Sequence, residues 1–249
     1  MPRGYPDYNA PSTAIGGVSF DTAELAARLG GLSRVNRLGQ VIYQDDFMAY
    51  LSRWTLTTTG LGNGYNILTP VFDGEAAVAL GAADTVSSSA LIEKPIPLHD
   101  LARFGLEVVF GFQPDGGGSN VGSYTVYIYH PTQSYRATVK IDMATDYISI
   151  QGHLLGGSDN WYNVITDIGT INPNYSYVTY HNLKLVIDAT TGRYVRLFVD
   201  DKSIDLSGYY MQVLGTAGYE MMLLQIYHYC SRVVDKFYSD SLIVTMNEP

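Results

Sequence analysis

The sequence predicts an all-β fold, an antiparallel two-sheet sandwich of jelly-roll type, and three observations carry that reading. In YHNLKLVIDATTGRYVRLFVDDKSIDLSG (180–208), Leu183, Leu185 and Ile187, and then Val195, Leu197 and Val199, alternate with more polar neighbours. A period of two marks a strand with one buried face. Turn residues punctuate the chain between residues 41 and 249 at roughly 10–15-residue spacing, which suits many short strands. No helical periodicity separates those strands, so neither βαβ units nor helical layers are expected.

In chain order, residues 1–19 (MPRGYPDYNAPSTAIGGVS) are too rich in Pro and Gly to build a core. Residues 1–40 therefore read as an extended N-terminal arm. A short helix is expected over 22–29, with Asp21 as N-cap, Glu24 at the capping-box position and Gly30 as its stop. Two turns do not persist alone. Tyr5, Tyr8, Ile15, Phe20, Leu25 and Leu29 are accordingly the candidate partner-binding residues, anchoring the arm on another subunit.

A single sandwich domain is expected over residues 41–249, with twelve to fourteen strands. VIYQDDF opens it, and LSRWTLTTT turns into a second strand that places Trp54 in the core. Strands are expected at 65–71, 75–80 and 86–92, after which Pro95 and Pro97 break the pattern. FGLEVVFGF (104–112), SYTVYIYH (123–130), 135–141, 146–151 and a strand opened by Trp161 follow. In the central meander, Gly192 provides the positive φ of the tight turn. GYEMMLLQIYHYC (218–230) and FYSDSLIVT (237–245) complete the body.

Composition narrows the function classes. Apolar residues make up 46%, enough for a large core, and charged residues only 16%. The net charge is −9 and no basic run occurs, which argues against nucleic acid. Residues 1–40 carry +1 and the remainder −10. The one cysteine, Cys230, excludes an intrachain disulfide and reads as a small buried hydrophobe. The N-terminus lacks a signal-peptide pattern, and no run of about 18 apolar residues occurs to span a membrane.

QDDFMAYLSRW (44–54), KFYSDSLIVTMNEP (236–249) and HNLKLVIDATTGRYVRLFVDD together resemble the concanavalin A-like sandwich superfamily and neighbouring carbohydrate-binding jelly rolls. There, such opening and closing strands often lie side by side. The resemblance implies a fold shared by lectins, glycosidases and structural domains. It also implies a structural calcium as the one possible cofactor, held by end-strand carboxylates, here Asp45, Asp46 and Asp240. The competing reading makes those residues solvated edge charges. The arm-plus-sandwich layout is similar to virion structural proteins of tailed phages, such as decoration and fibre proteins.

The laminarinase-like members carry E-x-D-x-E or E-x-D-x-x-E on one strand. The six glutamates here, at 24, 75, 93, 107, 220 and 248, form neither pattern. A chain without enzymatic activity is therefore expected. The five histidines show no paired ligand spacing. Aromatics are abundant, with 21 Tyr and two Trp. Tyr127 and Tyr129 share a strand face, as do Tyr227 and Tyr229. Asn160, Trp161, Tyr162 and Asn163 combine stacking and hydrogen-bonding groups, and are the candidate glycan-binding residues. The leading expectation is a structural subunit of a virion surface. It would be made in the host cytoplasm and dock through its arm into a homo-oligomer or larger assembly. The alternative is a carbohydrate-binding module for cell-surface glycans, placed extracellularly or at the cell surface.

Overall fold

The alternating segments pair into two antiparallel sheets in the computed structural model, which describes residues 39–47, 51–60, 62–67, 77–81, 88–98, 100–113, 120–143, 145–166, 179–230 and 236–249. The arm, its expected helix and the six anchor residues from Tyr5 to Leu29 lie outside the described residues, as does the side chain of Cys230.

Sixteen strands occur among the described residues, more than the twelve to fourteen expected. They begin with β1 (Gln40–Asp45), β2 (Thr55–Thr59), β3 (Asn63–Ile67), β4 (Ala77–Gly81), β5 (Ser88–Pro97) and β6 (Arg103–Gln113). Next come β7 (Asn120–Tyr129), β8 (Ser134–Asp142), β9 (Tyr147–Gly152), β10 (Asn160–Ile165) and β11 (Thr179–Asp188). The last are β12 (Arg193–Val199), β13 (Lys202–Asp205), β14 (Gln212–Gly215), β15 (Met221–Cys230) and β16 (Lys236–Met246).

Each sheet has eight strands. The first runs β13-β12-β11-β6-β16-β4-β3, with β1 also paired to β16. The second runs β10-β9-β8-β7-β15-β5-β2, with β14 also paired to β8. The first and last strands are indeed side by side, with Gln40 opposite Met246 and Asp45 opposite Leu242. β4 takes the other half of the same β16 edge, from Lys236 to Ser239. Between the two halves Asp240 is the extra residue of a β-bulge.

The core lies between the sheets. β11 contributes Leu183, Leu185 and Ile187, and β15 contributes Met222, Leu224 and Ile226. Trp54 is buried there as well. Gly192 has φ 68°, the left-handed conformation its turn requires.

Two local expectations are corrected. Val195 was expected on the buried face, but a bulge pairs Val186 with Arg196 and Ile187 with Tyr194, skipping Val195. Tyr194 is then the residue that enters the core, at 0% exposure. Pro95 does not break its strand, which runs on to Pro97. β5 continues along β15 to Pro97 opposite Met221. Its other neighbour, β2, reaches only as far as Thr55 opposite Glu93, so beyond that point the absent N–H groups face no further strand among the described residues.

Candidate functional site

Strand alternation gives the second sheet a buried face and an outer face, and the outer face is where chemistry-bearing side chains gather. Cross-strand register lines up Glu93 on β5 with Gln225 on β15, Thr125 on β7, Thr138 on β8 and Gln151 on β9. Trp161 on β10 extends this row opposite Gln151. Hydrogen bonds run along it. Gln225 Nε2 donates to Glu93 Oε1. The Thr125 and Thr138 hydroxyls share a 3.1 Å bond. Arg136 Nη2 donates to Gln151 Oε1 at 2.7 Å.

Tyr127 and Tyr129 stand beside this row on β7. Their rings are 5.9 Å apart and 4° from parallel. Tyr219 packs on Tyr129 at 5.5 Å. Residues two apart on a strand point to the same side. Stacked along β7, the pair leaves the far face of Tyr127 turned toward the row of Thr125 and Gln225. Burial, and then the neighbouring Tyr219, Tyr127 and Glu93, raise the pKa of Tyr129, so its hydroxyl stays neutral.

Among the sequence-predicted residues, Trp161 is on this outer face, 40% exposed, with Lys140 Nζ 4.8 Å from its ring centre. Asn163 lies on the same side and accepts a 2.7 Å bond from the Ser149 hydroxyl. Asn160 caps the strand start by accepting from the Trp161 N–H. Tyr162 does not join them. It points inward, against the core and the ring of Tyr209 at 5.1 Å. The expected Trp161–Tyr162 platform is thus corrected, because adjacent strand residues face opposite ways.

The expected calcium ligands do not converge. Asp45 spends both oxygens inside the protein, accepting from Phe47 N at 2.8 Å, Tyr43 Oη at 2.7 Å and Trp54 Nε1 at 2.9 Å. Burial, and then this Asp45 bond, raise the Tyr43 pKa. Asp240 is fully buried at the β16 bulge. Among the described residues, no group of three or more His, Cys, Asp or Glu side chains is placed to hold a metal ion. Asp45 instead ties the opening strand to Trp54.

Register reveals the residues that sequence reasoning missed: Glu93, Gln225, Arg136, Gln151 and Lys140. Of these, only Arg136 and Lys140 left a trace, at i and i+4 of one alternating strand. Asp142, on this face of β8, is three strands and four residues from Glu93. That is about 19 Å at usual strand spacings, too far to flank one glycosidic bond together.

No family model and no curated protein matches the chain. Solved structures do. A carbohydrate esterase from the Shiga toxin-encoding bacteriophage phi24B is 12% identical, over 78% of this chain and 90% of that one, with a TM-score of 0.46. A GH16 protein of the Bacteroides ovatus mixed linkage glucan PUL is 11% identical, over 82% of this chain and 100% of that one, with a TM-score of 0.49. A carbohydrate-binding module of the β-sandwich superfamily is 10% identical, over 84% of this chain and 62% of that one, with a TM-score of 0.40. The antiparallel two-sheet sandwich expected from the sequence is given by the strand pairing itself. Because enzymes and binding modules share it, the expectation of a chain without enzymatic activity is withdrawn.

Proposed function

We propose that this chain binds glycans on the outer face of its second sheet. The observation that carries the reading is the parallel Tyr127–Tyr129 pair beside the hydrogen-bonded row from Glu93 to Gln151. A pyranose ring stacks its C–H face on an aromatic ring and leaves its hydroxyls at the rim for amides and carboxylates. Here the face of Tyr127 turned away from Tyr129 is the stacking surface. Gln225, Glu93 and Arg136, on strands adjoining or next to β7, are within reach of the hydroxyls. Trp161 offers a second aromatic at the far end of the row.

Retention of the protein in native gels containing soluble polysaccharides tests this. The wild type is expected to be slowed by at least one polysaccharide. Tyr127→Ala should abolish the retardation while leaving the melting temperature within a few degrees, since Tyr127 is only half-buried. Retention that survives Tyr127→Ala removes the stacking surface from the account. Display on a virion surface, expected from the arm-plus-sandwich layout, is kept within this proposal, and immunogold labelling of purified particles checks it.

A further inference from the structure

We infer that the β8–β10 half of this face recognises an acidic sugar, through the carboxylate or sulfate that Arg136 and Lys140 would bind on either side of Thr138. This rests on the glycan-binding reading and narrows it to a ligand class. The chain has only 15 Lys and Arg against 24 Asp and Glu. Two of those cations nevertheless stand on one outer face, at i and i+4 of β8, with Thr138 between them.

Arg136 is held by a neutral group. Its Nη2 donates to the amide oxygen Gln151 Oε1 at 2.7 Å, and its Nε is buried with no acceptor. A half-buried guanidinium held through Nη2 by a neutral amide still has outward N–H groups to offer an anion. A ligand carboxylate supplies both the countercharge and acceptors that match the planar fork. Lys140 is engaged loosely, 4.0 Å from Asp142 Oδ2 and over the Trp161 ring at 4.8 Å. An ammonium so placed can turn to a second anionic group on a sugar stacked against Trp161. Glu93 is three strands away and bonded to Gln225, and Asp159, just before β10, is engaged by His153 Nδ1 at 3.0 Å.

The experiment is affinity measurement by titration calorimetry with two sets of probes. The acidic set is oligogalacturonate and chondroitin sulfate; the neutral set is malto-oligosaccharide and mixed-linkage β-glucan oligosaccharide. The acidic set should bind at least tenfold more tightly, and that advantage should shrink as sodium chloride rises. Arg136→Gln and Lys140→Gln should each remove most of the advantage, and Lys140→Gln should do so without weakening neutral binding. Lys140, the less embedded of the two, keeps the test valid if Arg136→Gln destabilises the fold. Neutral probes that bind as well as acidic ones, or an acidic preference untouched by Lys140→Gln, overturn the inference and leave glycan binding standing. Failure of both sets overturns the inference together with the proposed function.

Discussion

The Tyr194 hydroxyl reaches from β12 across the core to the opposite sheet, accepting from Thr138 N at 3.0 Å and donating to Gln151 O at 2.6 Å. Those two backbone groups lie directly beneath the outer row that carries Thr138 and Gln151. Tyr194→Phe keeps the shape but leaves an N–H and a carbonyl unpaired in the interior, at a cost of about 1–3 kcal/mol. Urea melts should show the lowered midpoint with an unchanged slope. Another buried residue sets a pH limit. Burial pushes the pKa of His228 down to about 3, although a bond with the Leu80 backbone opposes the shift. An unfolded imidazole titrates near 6.5, so between about 6.5 and about 3 the unfolded chain takes up a proton that the folded chain refuses. The His228 contribution to stability is therefore full above about pH 6.5 and is lost as pH falls toward 3, by on the order of a few kcal/mol. Asp188 and Asp200 act lower. Burial alone would raise both, but Thr190 and Arg103 at Asp188, and His181 at Asp200, hold each carboxyl below its usual value. Their contribution is present above about pH 4 and fades below it. Denaturant midpoints across pH 4–8 should fall on acidification, and His228→Leu should flatten the limb between pH 4.5 and 6.5.

At the scale of the strand, β11 was readable because its alternation is uninterrupted from Leu183 to Ile187. Leu185 and Leu197 face each other across β11 and β12, and both are buried. Leu185→Asp or Leu197→Asp places a charge between the sheets with no partner, and neither variant should fold. A folded variant with a near-normal urea midpoint would mean the residue is on the other face. The start of β12 was not readable. A bulge exchanges Val195 for Tyr194 on the buried face, and a bulge is a property of two paired strands rather than of one. Pro95 misled for a related reason. Whether a proline ends a strand depends on what lies on its N–H side, and that neighbour, β2, is some forty residues earlier in the chain.

At the scale of the molecule, alternation and turns were enough for the two-sheet class, and the opening and closing motifs anticipated the β1–β16 pairing. The candidate site was far less legible. Tyr127 and Tyr129 could be placed on one face from spacing alone. The row from Glu93 to Gln151 draws on five strands in the spatial order β5-β15-β7-β8-β9, so no linear motif records it. Trp161 and Tyr162 were joined by adjacency, which in a strand separates side chains. The central claim is that glycans bind on the outer face of the second sheet, and chemical-shift mapping of the backbone amides during a glycan titration tests it most directly. The account predicts saturable shifts concentrated on β5, β15, β7 and β8 around Glu93, Gln225, Tyr127 and Thr138. Shifts confined to the first sheet, or none with any polysaccharide that retards the protein, would contradict it.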